Sequence, residues 1–390
     1  MFKTLTRLFH APPEAKASRT QPALSLYMAG HPVWTPRDYG ALAREGFQKN
    51  AVVHRAVRLI AEAAASLPLV LKEGETELTR HPILTLLGRP NPREGGQRFL
   101  ESLYGHLMVS GNAYVEAVRI DGSARELHCL RPDRMRVVPG ADGWPAAYDY
   151  TIGRETIRFA PRDGEAPVLH LTLFHPADDH YGLSPMEAAA IALDIHNAAG
   201  AWNKALLDNS ARPSGALVVG GSTLTETQFA RLRAELETNY QGSAQAGRPL
   251  LLEGGLDWKP LSLSPKDMDF VDAKAAAARD IALAFGVPPL LLGLPGDNTH
   301  ANYAEANRAF YRQTVIPLVK RTAEALVQWL APEAGAPLAL HPDLDAIEAL
   351  STERESLWRR VSAATFLSDD EKREAVGYGT ALGTKNLRPT

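Results

Sequence analysis

"GLSPMEAAAIALDIHNAAGAWNKALLDNS", residues 182–210, reads as one long helix, and "SPKDMDFVDAKAAAARDIALAFG", residues 264–286, reads as a second with the same start signal. Ser-Pro at 184–185 and again at 264–265 places a capping hydroxyl before a proline at the first helical position, where a missing N–H is no loss. Ser184-Pro185-Met186-Glu187 has the pattern of a capping box. Ile191, Ile195, Ala198, Trp202 and Leu206 recur at helical spacing as one apolar stripe. At about 1.5 Å per residue, roughly 25 residues make a rod of about 37 Å. Gly286 supplies the stop of the second rod. Both helices are dense in alanine on more than one face, which suits close packing among neighbouring helices, including those of other copies of the chain. Between them, residues 212–263 carry a small α/β pattern of their own. "SGALVVG", "PLLLEGG" and "LDWKPLSL" are strand-like, and "TETQFARLRAELETNY" is an amphipathic helix. A module inserted between two paired helices is the feature that decides the architecture.

Working outward toward the N-terminus, Asn50 caps an expected helix whose apolar face is Val53, Val57, Ile60, Ala61 and Ala64, stopped at Leu67-Pro68. "PLVLKE" is strand-like, "HPILTLLGRPNP" a short helix closed by prolines, and residues 97–110 another helix closed by Gly111. From Ala113 to Phe174 the texture changes to short strands. Asp121-Gly122 and Gly153-Arg154 each separate two of them as hairpin turns. Residues 1–46, rich in Pro and Gly without periodicity, read as an extended arm. The fold class is therefore α+β with an antiparallel sheet.

Toward the C-terminus, "FGVPPLLLGLPGDNTHANY" (285–303) ends a helix, passes two prolines and three leucines, and opens a polar loop before the next helix, 303–331. Pro317 lies inside that helix and is expected to kink it. "LALHPDLDAI" is strand-like, and two short helices follow, "STERESLWRRVSAAT" and one announced by Ser368-Asp369-Asp370-Glu371 that ends near Gly377.

The composition narrows the function. The 390 residues are 45% hydrophobic and 22% charged, with a net charge of −3, and the mean hydropathy is −0.20. No stretch approaches the roughly 18 apolar residues of a membrane span, and the basic, amphipathic start lacks the apolar run of a signal peptide. The single cysteine, Cys129, excludes an intrachain disulfide and a multi-cysteine zinc site. A protein that holds DNA through its phosphates normally carries a basic excess. Contact with nucleic acid is thus expected to be weak or confined to a small surface.

No constellation demands catalysis. The best metal-like cluster is His175, Asp178, Asp179 and His180 in "HPADDHY", whose carboxylates and imidazoles have the chemistry of a divalent-ion site in a nuclease or hydrolase. Its spacing matches no established metal motif, and Asp and His are ordinary residues before a helix start, so the four are expected to be structural. Ser184 lacks the G-x-S-x-G context of a nucleophile. The Gly-Gly pairs at 220–221 and 254–255 lack the Lys and Ser/Thr of a phosphate loop. No catalytic residue, metal or cofactor is expected.

The pieces "SLPLVL", "HPILTLLGRPNP", "SGNAYVE", "LRPDRMRV", "HYGLSPMEAA", "NSARPSGAL", "LLEGGLDWKPLSLSPKDMDF" and "IALAFGVPPLLLG", in this order, resemble the portal proteins of long-tailed double-stranded DNA phages and of phage-derived gene transfer agents. The resemblance runs from about Asn50 to Gly377, and the first 46 residues carry little of it. It implies a wing (47–184), stem helices (185–211 and 264–286), a clip (212–263), a tunnel loop (287–302), a kinked wing helix with a return strand (303–350) and a crown (351–390). It also implies a homo-oligomeric ring, typically a dodecamer, at the portal vertex of a virion or phage-like particle assembled in bacterial cytoplasm. Such a ring passes double-stranded DNA, docks terminase and a head–tail adaptor or connector, and meets the major capsid protein, with no membrane partner. On this resemblance Asp297, Asn298, Thr299, His300 and Asn302 are the expected channel-lining residues. Leu290, Leu291 and Leu292 anchor the loop, and Gly293 and Gly296 give it freedom. A metal-dependent nuclease or hydrolase using the 175–180 cluster is the alternative.

Overall fold

Asn50 starts the first long helix as a cap, its Oδ1 accepting from the N–H groups of Val52 (3.0 Å) and Val53 (3.1 Å). That helix, α1 (Ala51–Ala65), buries Val53, Ala56, Val57, Ile60, Ala61 and Ala64, the face expected from their spacing. The computed structural model describes residues 34–378 except 75, 162–165, 209–214, 220–226, 228–229, 231–255, 261–269, 297–298 and 332–336. The chain divides into a unit ending at Trp34 and a larger one beginning at Thr35. Every described helix and strand belongs to the larger unit.

After α1 come β1 (Leu69–Glu73), β2 (Thr76–Leu78), α2 (Pro82–Gly88) and α3 (Gly96–Ser110). Helix α3 buries Phe99, Leu100, Leu103, Tyr104 and Leu107 and ends at Gly111, whose φ of +73° is the left-handed stop that its glycine allows. Strands β3 (Asn112–Ile120) and β4 (Ser123–Leu130) form the hairpin expected at Asp121-Gly122, and both turn residues take positive φ. Strands β5 (Met135–Pro139), β6 (Pro145–Ile152) and β7 (Glu155–Phe159) form a second antiparallel sheet, with Ile152 opposite Glu155 across the Gly153-Arg154 turn. Strand β8 (Val168–Thr172) returns to pair with β3.

A short helical turn, Pro185–Ala188, leads into α4 (Ala190–Asp208). The expected single rod is thus broken at Ala189, and the capping box does not form there. Ser184 Oγ instead accepts from Met186 N–H (3.0 Å) and donates to the Met108 carbonyl (2.9 Å), which fixes the turn to the end of α3. The expected stripe also faces otherwise. Ile191, Ile195 and Ala198 are exposed, while Ala189, Ala190, Ala192, Leu193 and Ala199 are buried.

Of the inserted module, β9 (Gly215–Val219) and β10 (Leu256–Pro260) are described and pair antiparallel, Leu256 opposite Val219. The expected strand 249–255, most of the expected helix 225–240 and the start signal at Ser264 lie outside the described residues. Helix α5 (Phe270–Ala284) packs along α4. Its Ala277 and Ile281, with Phe285 just beyond its end, belong to the same hydrophobic core as α1 and α3. The helix pair is therefore rooted in the main core, where each fully buried Leu, Ile or Phe contributes about 1.5–3 kcal/mol.

Helix α6 (His300–Phe310) begins three residues before the expected start at 303. It runs into a π-helical segment, Tyr311–Val315, and then α7 (Ile316–Leu330). Pro317 thus does not interrupt an α-helix. It occupies the first turn of α7, where a missing N–H is tolerated, and the irregularity is displaced into the preceding π-turn. Strand β11 (Leu338–Pro342) pairs with β1 in a sheet of order β11-β1-β2, so the chain returns to its first strand. Helices α8 (Ser351–Ala363) and α9 (Asp369–Ala375) follow. In α9 the capping box of Ser368 and Glu371 forms as expected.

Candidate channel loop and its mount

The loop after α5 starts from a glycine stop. Gly286 has φ +63°, its N–H donates to the Leu283 carbonyl (2.9 Å) and Val287 N–H reaches back to the Ala282 carbonyl (2.9 Å). This is the paired closure of a Schellman motif. Val287 completes the cap and is buried, so the lack of donors begins only at Pro288 and Pro289.

A short 3₁₀ turn, Pro289–Leu292, then ends at Gly293, whose φ of +74° closes a second turn through Gly293 N–H to Leu290 O (3.2 Å) and Leu294 N–H to Pro289 O (3.1 Å). Of the three leucines, Leu291 enters the core and Leu292 packs against it. Gly293 therefore acts as a fixed turn position, which its lack of a Cβ permits.

Of the sequence-predicted channel residues, Thr299 caps α6, its Oγ1 accepting from Asn302 N–H (3.2 Å). Thr299 and Asn302 are both exposed. His300 and Asn302 sit in the first turn of α6 rather than in a loop, because the Thr299 cap begins the helix there. Asp297, Asn298 and the His300 side chain lie outside the described residues.

Three contacts that sequence spacing did not flag hold this segment. Thr314, within the π-turn, donates its hydroxyl to the Gly286 carbonyl (2.5 Å). Arg279 of α5 donates to the Pro295 carbonyl (2.6 Å). From α8, Glu353 Oε1 stands 3.4 Å from Arg308 Nε, and Arg312 pairs with the second oxygen of the same carboxylate. The only sequence signal for this mount was Pro317, which marks a helix irregularity without saying which side chain it presents.

The root of the helix pair is a second assembled point. Asn112 Oδ1 accepts from Gly182 N–H (2.8 Å) and from His170 Nε2 (3.0 Å). The His170 ring stacks on Tyr114 (centroids 4.2 Å apart), and burial pushes its pKa down to about 4. "SGNAYVE" and "HYGLSPMEAA", two of the pieces that carry the resemblance, therefore meet in space.

The 175–180 cluster is engaged by its own backbone. Asp178 Oδ1 accepts from His180 N–H (2.8 Å) and Tyr181 N–H (2.9 Å), and these bonds lower its pKa. His175 Nδ1 accepts from Ala177 N–H (3.1 Å). Among the described residues, no three His, Cys, Asp or Glu side chains converge as a metal site. Cys129 is largely buried, which pushes its thiol up to about 12, so it is a poor nucleophile. Among the described residues no helix is long and apolar enough to cross a membrane.

Two packed helices rooted in an α/β core, with a module inserted between them in the chain and a capped loop leaving the second, define the subunit architecture of a portal-type protein. The phage portal protein family model matches residues 51–377, and the chain belongs to that family. An uncharacterized protein of Rickettsia bellii is 41% identical over 339 residues, covering 85% of this chain and 88% of that protein. The probable portal protein of Streptomyces phage phiC31 is 30% identical over 375 residues, covering 88% and 80%. Among solved structures, a chain from the neck of a native gene transfer agent particle, computed with C12 symmetry, is 55% identical with a TM-score of 0.69, covering 91% of this chain and 98% of that one.

Proposed function

We propose that this chain is the portal subunit of a phage or gene transfer agent particle, and that twelve copies close into a ring around a channel for double-stranded DNA. The observation that carries the reading is the mounted loop. The loop runs from the glycine cap at 286 to the threonine cap at 299, with Thr314 bonded to Gly286 and Arg279 to Pro295. A ring of such loops forms a constriction. Neutral groups at Thr299 and Asn302, together with Asn298 and His300, make short-lived hydrogen bonds to phosphates, and Asp297 adds repulsion, so that DNA slides without being gripped.

The remaining parts take roles by position. Residues 47–184 form the wing facing the major capsid protein, and the return strand within 303–350 completes it. Residues 185–211 and 264–286 form the stem, and 351–390 the crown. Residues 212–263 form a clip that docks terminase during packaging and a head–tail connector afterwards. The subunits meet head to tail, a heterologous contact that closes only as a ring. The chain supplies a conduit, and the chemistry of packaging belongs to the terminase.

The test replaces Asp297, Asn298 and His300 together by arginine. Rings seen by electron microscopy should be unchanged, while DNA transit into and out of particles slows or stalls, because each added guanidinium gains phosphate contacts. Normal packaging and ejection by this variant would remove the loop from the channel.

A further inference from the structure

We infer that Thr314 and Glu353 are positioning residues that set where the 287–302 loop stands, acting through the π-turn between α6 and α7. The inference rests on reading that loop as the channel constriction, but its own evidence is geometric. A π-turn adds one residue to a helical turn and so rotates the side chains before it relative to those after it. Here the Ile316 N–H donates five residues back, to the Tyr311 carbonyl. Pro317 explains the location, since a continuous α-helix through it would leave the Gln313 carbonyl without its donor.

The turn directs Thr314 at the end of α5. Its hydroxyl meets the Gly286 carbonyl at 2.5 Å, and a Cβ built on Gly286 would lie 2.9 Å from the same oxygen. Glycine at 286 is thus required twice, for its positive φ and for this approach. The bond joins the residue where the loop departs to the π-turn that follows α6, the helix on which the loop lands.

Glu353 of α8 is a second partner of the same turn. One carboxylate takes Arg308, from the last turn of α6, and Arg312, from within the π-turn. Arg308 is mostly covered and also pairs with Glu305 at 2.6 Å. Arg308 just before the helical irregularity and Arg312 within it, joined through one residue of α8, tie the end of α6 and the π-turn to α8. Arg279 adds a third tie, from α5 to Pro295 in the middle of the loop.

The test uses assembled rings of the full chain without DNA, read by amide hydrogen exchange, and particles read by DNA retention. Thr314→Val removes the hydroxyl at nearly constant volume. It should speed exchange at Val287, Leu291, Gly293 and Leu294 about tenfold, the effect of losing one hydrogen bond, while β3 and α3 stay protected. Thr314→Ser should restore protection. Glu353→Gln should speed exchange across α6 several-fold, and 0.5 M salt should reproduce part of that effect in the unaltered chain, because these ion pairs are partly exposed. Unchanged exchange in Thr314→Val and Glu353→Gln overturns the positioning role. Faster exchange with normal DNA retention leaves the positioning role standing and overturns instead the reading of the loop as the constriction.

Discussion

Gly111 and Gly182 meet backbone to backbone at the root of the helix pair. A Cβ on Gly182 would lie 2.1 Å from the Gly111 carbonyl oxygen and 2.6 Å from Leu173 N. Gly182→Ala should therefore destabilise the chain by about 2 kcal/mol or more, the range for forced backbone displacement, as measured by chemical denaturation of the unassembled chain. His170 beside this junction gives a pH signature. Burial lowers its pKa from 6.5 to about 4 in the folded chain, so between those values the unfolded state binds the extra proton. Stability should fall as pH drops from about 6.5 to 4 and then level off, and His106, lowered by the same cause to about 4, adds to the slope. Asp149 works in a separate window. Arg158 and Arg136 hold its pKa down to about 2, so its contribution is present above about 4 and lost as pH falls through 2. His170→Gln should flatten the upper limb of the stability profile and leave the lower one; an unchanged slope between pH 6.5 and 4 would mean that His170 titrates normally. None of this was legible in the sequence. Asn112, His170 and Gly182 become partners only because β3, β8 and the entry to α4 converge, and pairing across 70 residues leaves no periodic trace.

At the scale of elements, helical spacing found the right segments and the wrong inner face. α1 reads true, since its apolar residues occupy one stripe and that stripe is the core. In α4 apolar residues lie on two faces, and spacing cannot say which is covered by this chain. Ala190, Ala192, Ala199 and Leu193 turned inward, leaving Ile191 at 59% and Ile195 at 44% exposure. α5 likewise leaves Val271 and Leu283 outside, at 74% and 78%. Apolar side chains so placed are spare for the folding of one subunit and available to a neighbour. Ile191→Asp with Ile195→Asp should leave the melting temperature of the unassembled chain within a few degrees while abolishing rings on electron micrographs, because a neighbour would have to bury two unpaired carboxylates. Rings forming normally from that double variant would place the subunit contact on other faces. The π-turn shows the same limit of pattern reading. Pro317 announced an irregular helix, but only the packing of Phe310, Val315 and Ile316 into the core decides that it becomes a π-turn rather than a kink.

Over the whole molecule, the order of elements was legible because each boundary carries its own local chemistry: Asn50, Gly111, Asp121-Gly122, Ser184-Pro185 and Gly286 all start or stop elements where expected. What local chemistry could not supply was the closure of the core by β11 on β1 and by α5 on α1 and α3, which depends on contacts between distant segments. Charge is the property that acts on this largest scale. With 42 Lys and Arg against 45 Asp and Glu, the chain is mildly acidic, and a ring of such chains repels DNA at long range. A conduit needs that, since a protein neutralising 6–10 phosphates would lose about 10³–10⁵ in affinity between 50 and 200 mM salt and would hold its cargo correspondingly tightly at the lower end. Duplex DNA titrated against purified rings should accordingly bind weakly, with affinity changing less than about tenfold over that salt range. The arginine triple variant at 297, 298 and 300 should bind more tightly at 50 mM and acquire a steeper dependence. A steep slope in the unaltered ring would mean that basic side chains are concentrated along the bore despite the net charge, and that DNA is held there by phosphate contacts rather than passed over a weakly polar constriction.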